Sequence, residues 1–116
     1  MLEDKLKIIF CTVPNEPTGR RIAESLVREN LAACVNILPQ VISIYRWQGD
    51  IQHDGESLLL IKARASRFAA IEARLNEIHP YEVPEIVAVE AADVADAYMQ
   101  WVRESSGDQN PPPTPD

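Results

Sequence analysis

His79-Pro80-Tyr81-Glu82-Val83-Pro84-Glu85 decides how this chain folds. Two prolines in five residues fix φ near −65° and push the residues before them towards extended backbone, so the stretch cannot be helix. It follows Phe68, Ile71, Leu75 and Ile78, an apolar stripe at helical spacing, and precedes the strand-like run Ile86-Val87-Ala88-Val89. The stretch is therefore a stiff joint between a helix and a strand. It carries an imidazole, a phenol and two carboxylates, where a joint that only turns would more often use Gly, Asn or Ser. The plain reading is a rigid connector with ordinary surface side chains, and a chemical role has to be argued against it.

Working outward, the residues before the connector alternate strands with helices. Residues 6–13 are a short apolar strand ended by Pro14-Asn15, with Asn15 as N-cap and Glu16 and Pro17 in the first helical turn. Ile22, Leu26 and Val27 continue that helix, which should stop near Asn30. Residues 31–39 form a second strand bent at Pro39, and Val41, Ser43, Tyr45 and Trp47 alternate beyond it. Gln48-Gly49-Asp50 is a turn, and the chain returns through Ser57-Leu58-Leu59-Leu60-Ile61-Lys62 to complete a long hairpin. Ser66 is expected to cap the second helix. After the connector, a strand over residues 85–90 precedes a third helix opened by Asp93, with Asp96 placed as in a capping box.

Strand-helix-strand-strand-helix-strand is the order of a ferredoxin-like split βαβ sandwich, of class α+β. Right-handed crossovers give an antiparallel sheet ordered 4-1-3-2 with helices on one face, plus an extra C-terminal helix. Strand 1 then runs antiparallel to strand 4, so Cys11 lies beside Pro84-Glu85 and His79 comes near the thiol. We expect one domain over residues 1–106. The tail from residue 107 to 116, GDQNPPPTPD, has no apolar residue outside proline and reads as disordered.

Composition excludes several classes. A net charge of −7 gives no nucleic-acid footprint. No run is long enough to span a bilayer and no leader-like segment opens the chain, so no membrane partner is expected. Two cysteines without a scaffold pattern point to reduced thiols in a cytoplasm.

The motifs Cys11-Thr12-Val13-Pro14, Leu31-Ala32-Ala33-Cys34-Val35-Asn36-Ile37-Leu38-Pro39, Ser43-Ile44-Tyr45-Arg46-Trp47-Gln48-Gly49 and His79-Pro80-Tyr81-Glu82-Val83-Pro84-Glu85-Ile86, with Lys62, Tyr98 and Trp101, resemble the CutA divalent-cation-tolerance family over roughly residues 5–104. The resemblance implies a homotrimer whose long hairpin reaches a neighbouring subunit. It also implies tolerance of copper or other divalent cations, with Cys11 as thiol ligand and His79 as imidazole ligand. Members with a stronger ligand set carry a second histidine before the His-Pro pair, where Ile78 stands here.

Thiolate and imidazole suit Cu(I), Cu(II) or Zn(II), and a complete set needs more donors, for which Glu82 and Glu85 are the candidates. The plainer roles are a buried core residue for Cys11 and a helix-ending residue for His79. Cys34 reads as core. An alternative function is a trimeric sensor binding a small anion or nucleotide in an inter-subunit cleft, with Arg46, Trp47, Lys62 and Tyr81 as cleft residues. An enzyme with Cys11 as nucleophile and His79 as base is the weakest reading, because no oxyanion hole or phosphate loop accompanies them.

Overall fold

The computed structural model describes residues 4–107. It contains four strands, β1 (Leu6–Val13), β2 (Cys34–Trp47), β3 (Asp50–Arg64) and β4 (Val87–Glu90), and three α-helices, α1 (Glu16–Arg28), α2 (Phe68–Ile78) and α3 (Asp96–Ser105). The sheet order is β2-β3-β1-β4, the expected 4-1-3-2 read from the other edge, and all three pairings are antiparallel. Apart from Gly107, the tail expectation falls outside the described residues.

Strand alternation sorts the core. Ile9, Cys11 and Val13 of β1 and Leu59, Ile61 and Ala63 of β3 face one way and pack with Ile22 and Leu26 of α1 and Ile71 and Leu75 of α2. Leu6 faces the other way and packs with Met99 and Val102, which puts α3 on the opposite face, against one end of the sheet. The expected single helical layer therefore holds for α1 and α2, and α3 departs from it. Among the described residues, no helix lies above the rest of that opposite face, which includes Phe10, Leu60 and Val87 in cross-strand register.

Local signals decide the joints. The Asn15 side chain accepts from the Thr18 N–H at 2.9 Å, as a helix N-cap should. The helix ends at Arg28 and Asn30 turns the chain with φ of 60°. The register shift between Leu38 and Val41, with Gln40 at φ 63°, is the bend expected at Pro39; the strand continues through it to Trp47. β1 pairs with β3 only over residues 57–64, so the far half of the hairpin pairs with itself and projects.

Three boundaries differ from the expectations. Ser66 does not cap α2: it lies in a 3-10 turn over Ala65–Arg67, and its N–H and hydroxyl both donate to the Asp4 carboxylate, the N–H at 2.9 Å. Asp93 lies outside α3, which begins at Asp96 without a side-chain cap, because Val94 is drawn into the Leu6–Met99 cluster. Pairing of β4 begins at Val87, two residues later than expected.

Asp4 also receives Arg64 at 2.8 Å, so it ties the start of β1 to the end of β3 and the entrance of α2. Burial pushes the Asp4 carboxyl up, but the two Ser66 hydrogen bonds and Arg64 outweigh that and hold it below its ordinary value. A group depressed on folding stabilises the protein above its unfolded pKa and loses that contribution as pH falls through the folded one. Denaturant titrations from pH 7 to pH 3 should show wild type more stable than Asp4→Asn by ~1–3 kcal/mol at neutral pH, with the gap closing below about pH 4. Asn15→Ala should cost ~1 kcal/mol at every pH, read as a lower denaturation midpoint.

Candidate functional site

The connector is fixed by one histidine. The His79 N–H closes α2 onto the Leu75 carbonyl at 2.8 Å, and its backbone then turns extended at φ −77°, ψ 138°. The ring is 8% exposed and reaches across to β1, where Nε2 lies 2.8 Å from the Thr12 carbonyl oxygen. Nδ1 accepts the Tyr81 N–H at 3.0 Å. A carbonyl only accepts and a backbone N–H only donates, so the one neutral tautomer that satisfies both carries its proton on Nε2. The plain role expected of His79, an imidazole on its own helix's last carbonyls, is thus replaced by a bond to the neighbouring strand.

Tyr81 continues the chain of contacts. Its ring lies 4.7 Å from that of His79, tilted by 49°, and its hydroxyl donates to Glu56 Oε2 at 2.7 Å. Burial and the bond to Glu56 push the Tyr81 phenol well above its ordinary value. It stays a donor across the accessible pH range.

Cys11 sits behind this network, fully buried. Its Sγ makes a weak contact to the same Thr12 carbonyl at 3.8 Å. Burial, with the negative charges of Glu85 and Glu56, pushes the thiol up to about 12. Topology thus brings Cys11 and His79 to one carbonyl oxygen, as expected from the antiparallel pairing of β1 and β4. A soft metal here would meet a protonated thiol and an imidazole with both nitrogens engaged. Among the described residues, no three His, Cys, Asp or Glu side chains form a group that could hold a metal ion.

In front of the network lies an open cleft of about 820 Å³. It brings together Glu82, Glu85, Tyr81 and Trp47 of the expected residues with Tyr45, Asp54 and Glu56 of the hairpin. Tyr45 donates to Asp54, and that bond holds its phenol above its ordinary value. Among the described residues, four carboxylates line the cleft and no lysine or arginine does. Arg46 lies outside it, with Nη1 3.3 Å from the Gly49 carbonyl, and so does Lys62, whose Nζ stands 6.0 Å from the Tyr98 ring centre. Cys34, half-buried at the start of β2, is remote from the lining.

Sequence reading overlooked Asp54, Glu56 and Tyr45. A signal was present: Asp54 and Glu56 are two apart on one strand, hence on one face, and their partners Ser43 and Val41 put Tyr45 on the same face of the hairpin.

A family profile described as CutA1 divalent ion tolerance protein matches residues 7–105. The chain is 48% identical over 101 residues to the Divalent-cation tolerance protein CutA of Thermus thermophilus, covering 87% of this chain and 98% of that protein. It is 41% identical over 99 residues to the chloroplastic Protein CutA of Arabidopsis thaliana, covering 85% of this chain and 54% of that longer protein. The solved structure of the Thermus thermophilus divalent cation tolerance protein Cut A1 superposes with a TM-score of 0.84 at 47% identity, over 88% of this chain and 99% of that one.

The two thiols should differ in reactivity. Native protein treated with a thiol reagent at neutral pH should give no more than one equivalent of modified cysteine, at Cys34, and two after unfolding. Modification of Cys11 in the native state would contradict its burial and raised pKa.

Proposed function

The chain belongs to the CutA1 divalent ion tolerance family, and on that premise we propose that it is a non-enzymatic homotrimer that meets divalent cations at its acidic cleft. The observation that carries this reading is the lining itself, four carboxylates with no basic residue to neutralise them. Such a surface attracts cations through its field and supplies oxygen donors one or two at a time. Binding is therefore weak and sensitive to salt, in keeping with the absence of a compact donor group among the described residues. Among first-row divalent ions the natural order of affinity puts Cu(II) first, so copper is the ion held most tightly, through Glu82 and Glu85 rather than through Cys11. A buried, protonated Cys11 supports no nucleophilic chemistry.

The trimer rests on uncovered apolar surface. In a single subunit Ile42, Ile44 and Trp47 on the projecting hairpin are 69%, 63% and 61% exposed. β2 offers an open edge along the same arm, and Val87 and Val89 are exposed on the sheet face that α3 covers at one end. Edge strands and apolar patches of this extent call for a partner, and a second copy of the same hairpin has matching chemistry. Two free cysteines suit a reducing compartment, which supports the cytoplasm as its place of action.

Light scattering at micromolar concentration should give the mass of three chains; a 13.0 kDa species would refute the trimer. Equilibrium dialysis with Cu(II) should show binding that weakens with added salt. The Glu82→Gln/Glu85→Gln double variant should lose about tenfold in affinity, while Cys11→Ser should bind as wild type. Unchanged binding by the double variant, or lost binding by Cys11→Ser, would sink the cleft assignment.

A further inference from the structure

We propose that His79 is a positioning residue for the cleft and donates no electrons to a metal: it fixes Tyr81, and through Tyr81 the carboxylate of Glu56. The inference deepens the reading of the cleft as the cation-facing surface and rests on it for its consequence, though its geometry stands alone.

Three observations carry it. Both ring nitrogens of His79 are engaged within the protein, Nε2–H on the Thr12 carbonyl at 2.8 Å and Nδ1 on the Tyr81 N–H at 3.0 Å. The ring is buried against Tyr81, which cannot swing away without losing the aromatic contact at 4.7 Å. The far end of Tyr81 then holds Glu56 Oε2 at 2.7 Å, on the cleft wall. A rigid relay thus runs from the end of β1 through the imidazole and the phenol to a cleft carboxylate. Coordination by either nitrogen would require breaking one of the two hydrogen bonds, and breaking the Nδ1 bond would leave the Tyr81 N–H without its partner.

Two substitutions separate the functions of the two nitrogens. The side-chain oxygen of asparagine can stand where Nδ1 stands and still accept from Tyr81. The side-chain NH₂ of glutamine can stand where Nε2 stands and still donate to Thr12, but it offers nothing in place of Nδ1. A positioning residue predicts that His79→Asn, His79→Gln and Tyr81→Phe each weaken cation affinity about fivefold, each by breaking one link of the relay, and that Tyr81→Phe combined with His79→Gln weakens it no further. A metal donor predicts equal and large losses for both substitutions at His79, with Tyr81→Phe neutral.

The test uses full-length protein with Mn(II) as probe, an ion content with carboxylate and water ligands. Alongside it, imidazole ¹⁵N NMR is recorded in a His53→Gln background, which leaves His79 as the single histidine. The expected spectrum is that of the Nε2–H tautomer, unchanged by excess Zn(II). An Nδ1–H tautomer, a zinc-induced shift of either ring nitrogen, or cation binding by Tyr81→Phe equal to that of wild type would overturn the proposal. Should no cation bind any of these proteins, the cleft reading fails, and the nitrogen spectra still decide the role of His79. The spectra also need no variant at position 79, so poor folding of a substitution does not remove the decision.

Discussion

A single hydrogen bond, from the His79 ring to the Thr12 carbonyl, ties the connector to the sheet's central strand. β1 pairs with β3 along its whole length but with β4 only over Lys7–Phe10, so Thr12 lies beyond the β4 pairing and its carbonyl is open to the His79 ring. The connector has no ladder of its own between Ile78 and Val87, and Pro80 and Pro84 each lack an N–H donor. Without the imidazole it would lose its tie to β1 and keep only the Tyr81–Glu56 bond to the hairpin. With it, the chain leaves α2, is pinned to β1 and enters β4 in register. Asp4 does the corresponding work at the other end of the strand, where it gathers Arg64 and Ser66.

The same anchor sets the electrostatics of the cleft. Buried Cys11 lies behind Thr12, and the carboxylates stand in front, so the site is divided into an apolar back and an anionic face. Both phenols are raised above their ordinary values, Tyr81 by burial and its bond to Glu56, Tyr45 by its bond to Asp54. They orient those carboxylates without cancelling their charge. The outcome is an anionic surface whose carboxylates keep their charge. A thiolate–imidazole chelate would require a deprotonated Cys11 and a freed ring nitrogen.

Much of this fold was legible in the residues. Sheet order followed from the strand-helix sequence and handedness, the α1 cap from Asn15, and the hairpin from alternation around Gln48-Gly49. Ser66 misled because a serine before an apolar stripe looks like a cap, whereas its partner is Asp4, distant in the chain and invisible to local pattern. Asp93 misled in the same way, because the tertiary cluster around Leu6 claims Val94 before the helix can start. For the site, adjacency of Cys11 and His79 was readable from topology. What they do there was not, since it depends on which nitrogen faces a carbonyl and which an amide. The hairpin carboxylates were overlooked because attention to motifs in sequence hid a two-residue period on a strand.

The central claim is that divalent cations meet this protein at the acidic cleft. Paramagnetic broadening of amide signals by substoichiometric Mn(II) tests it most directly, because the effect falls steeply with distance and needs no tight binding. The account predicts that amides at residues 52–56 and 81–85 broaden first. Broadening centred elsewhere, for example on Asp93 and Asp96 at the start of α3, or spread evenly over the acidic surface, would contradict it.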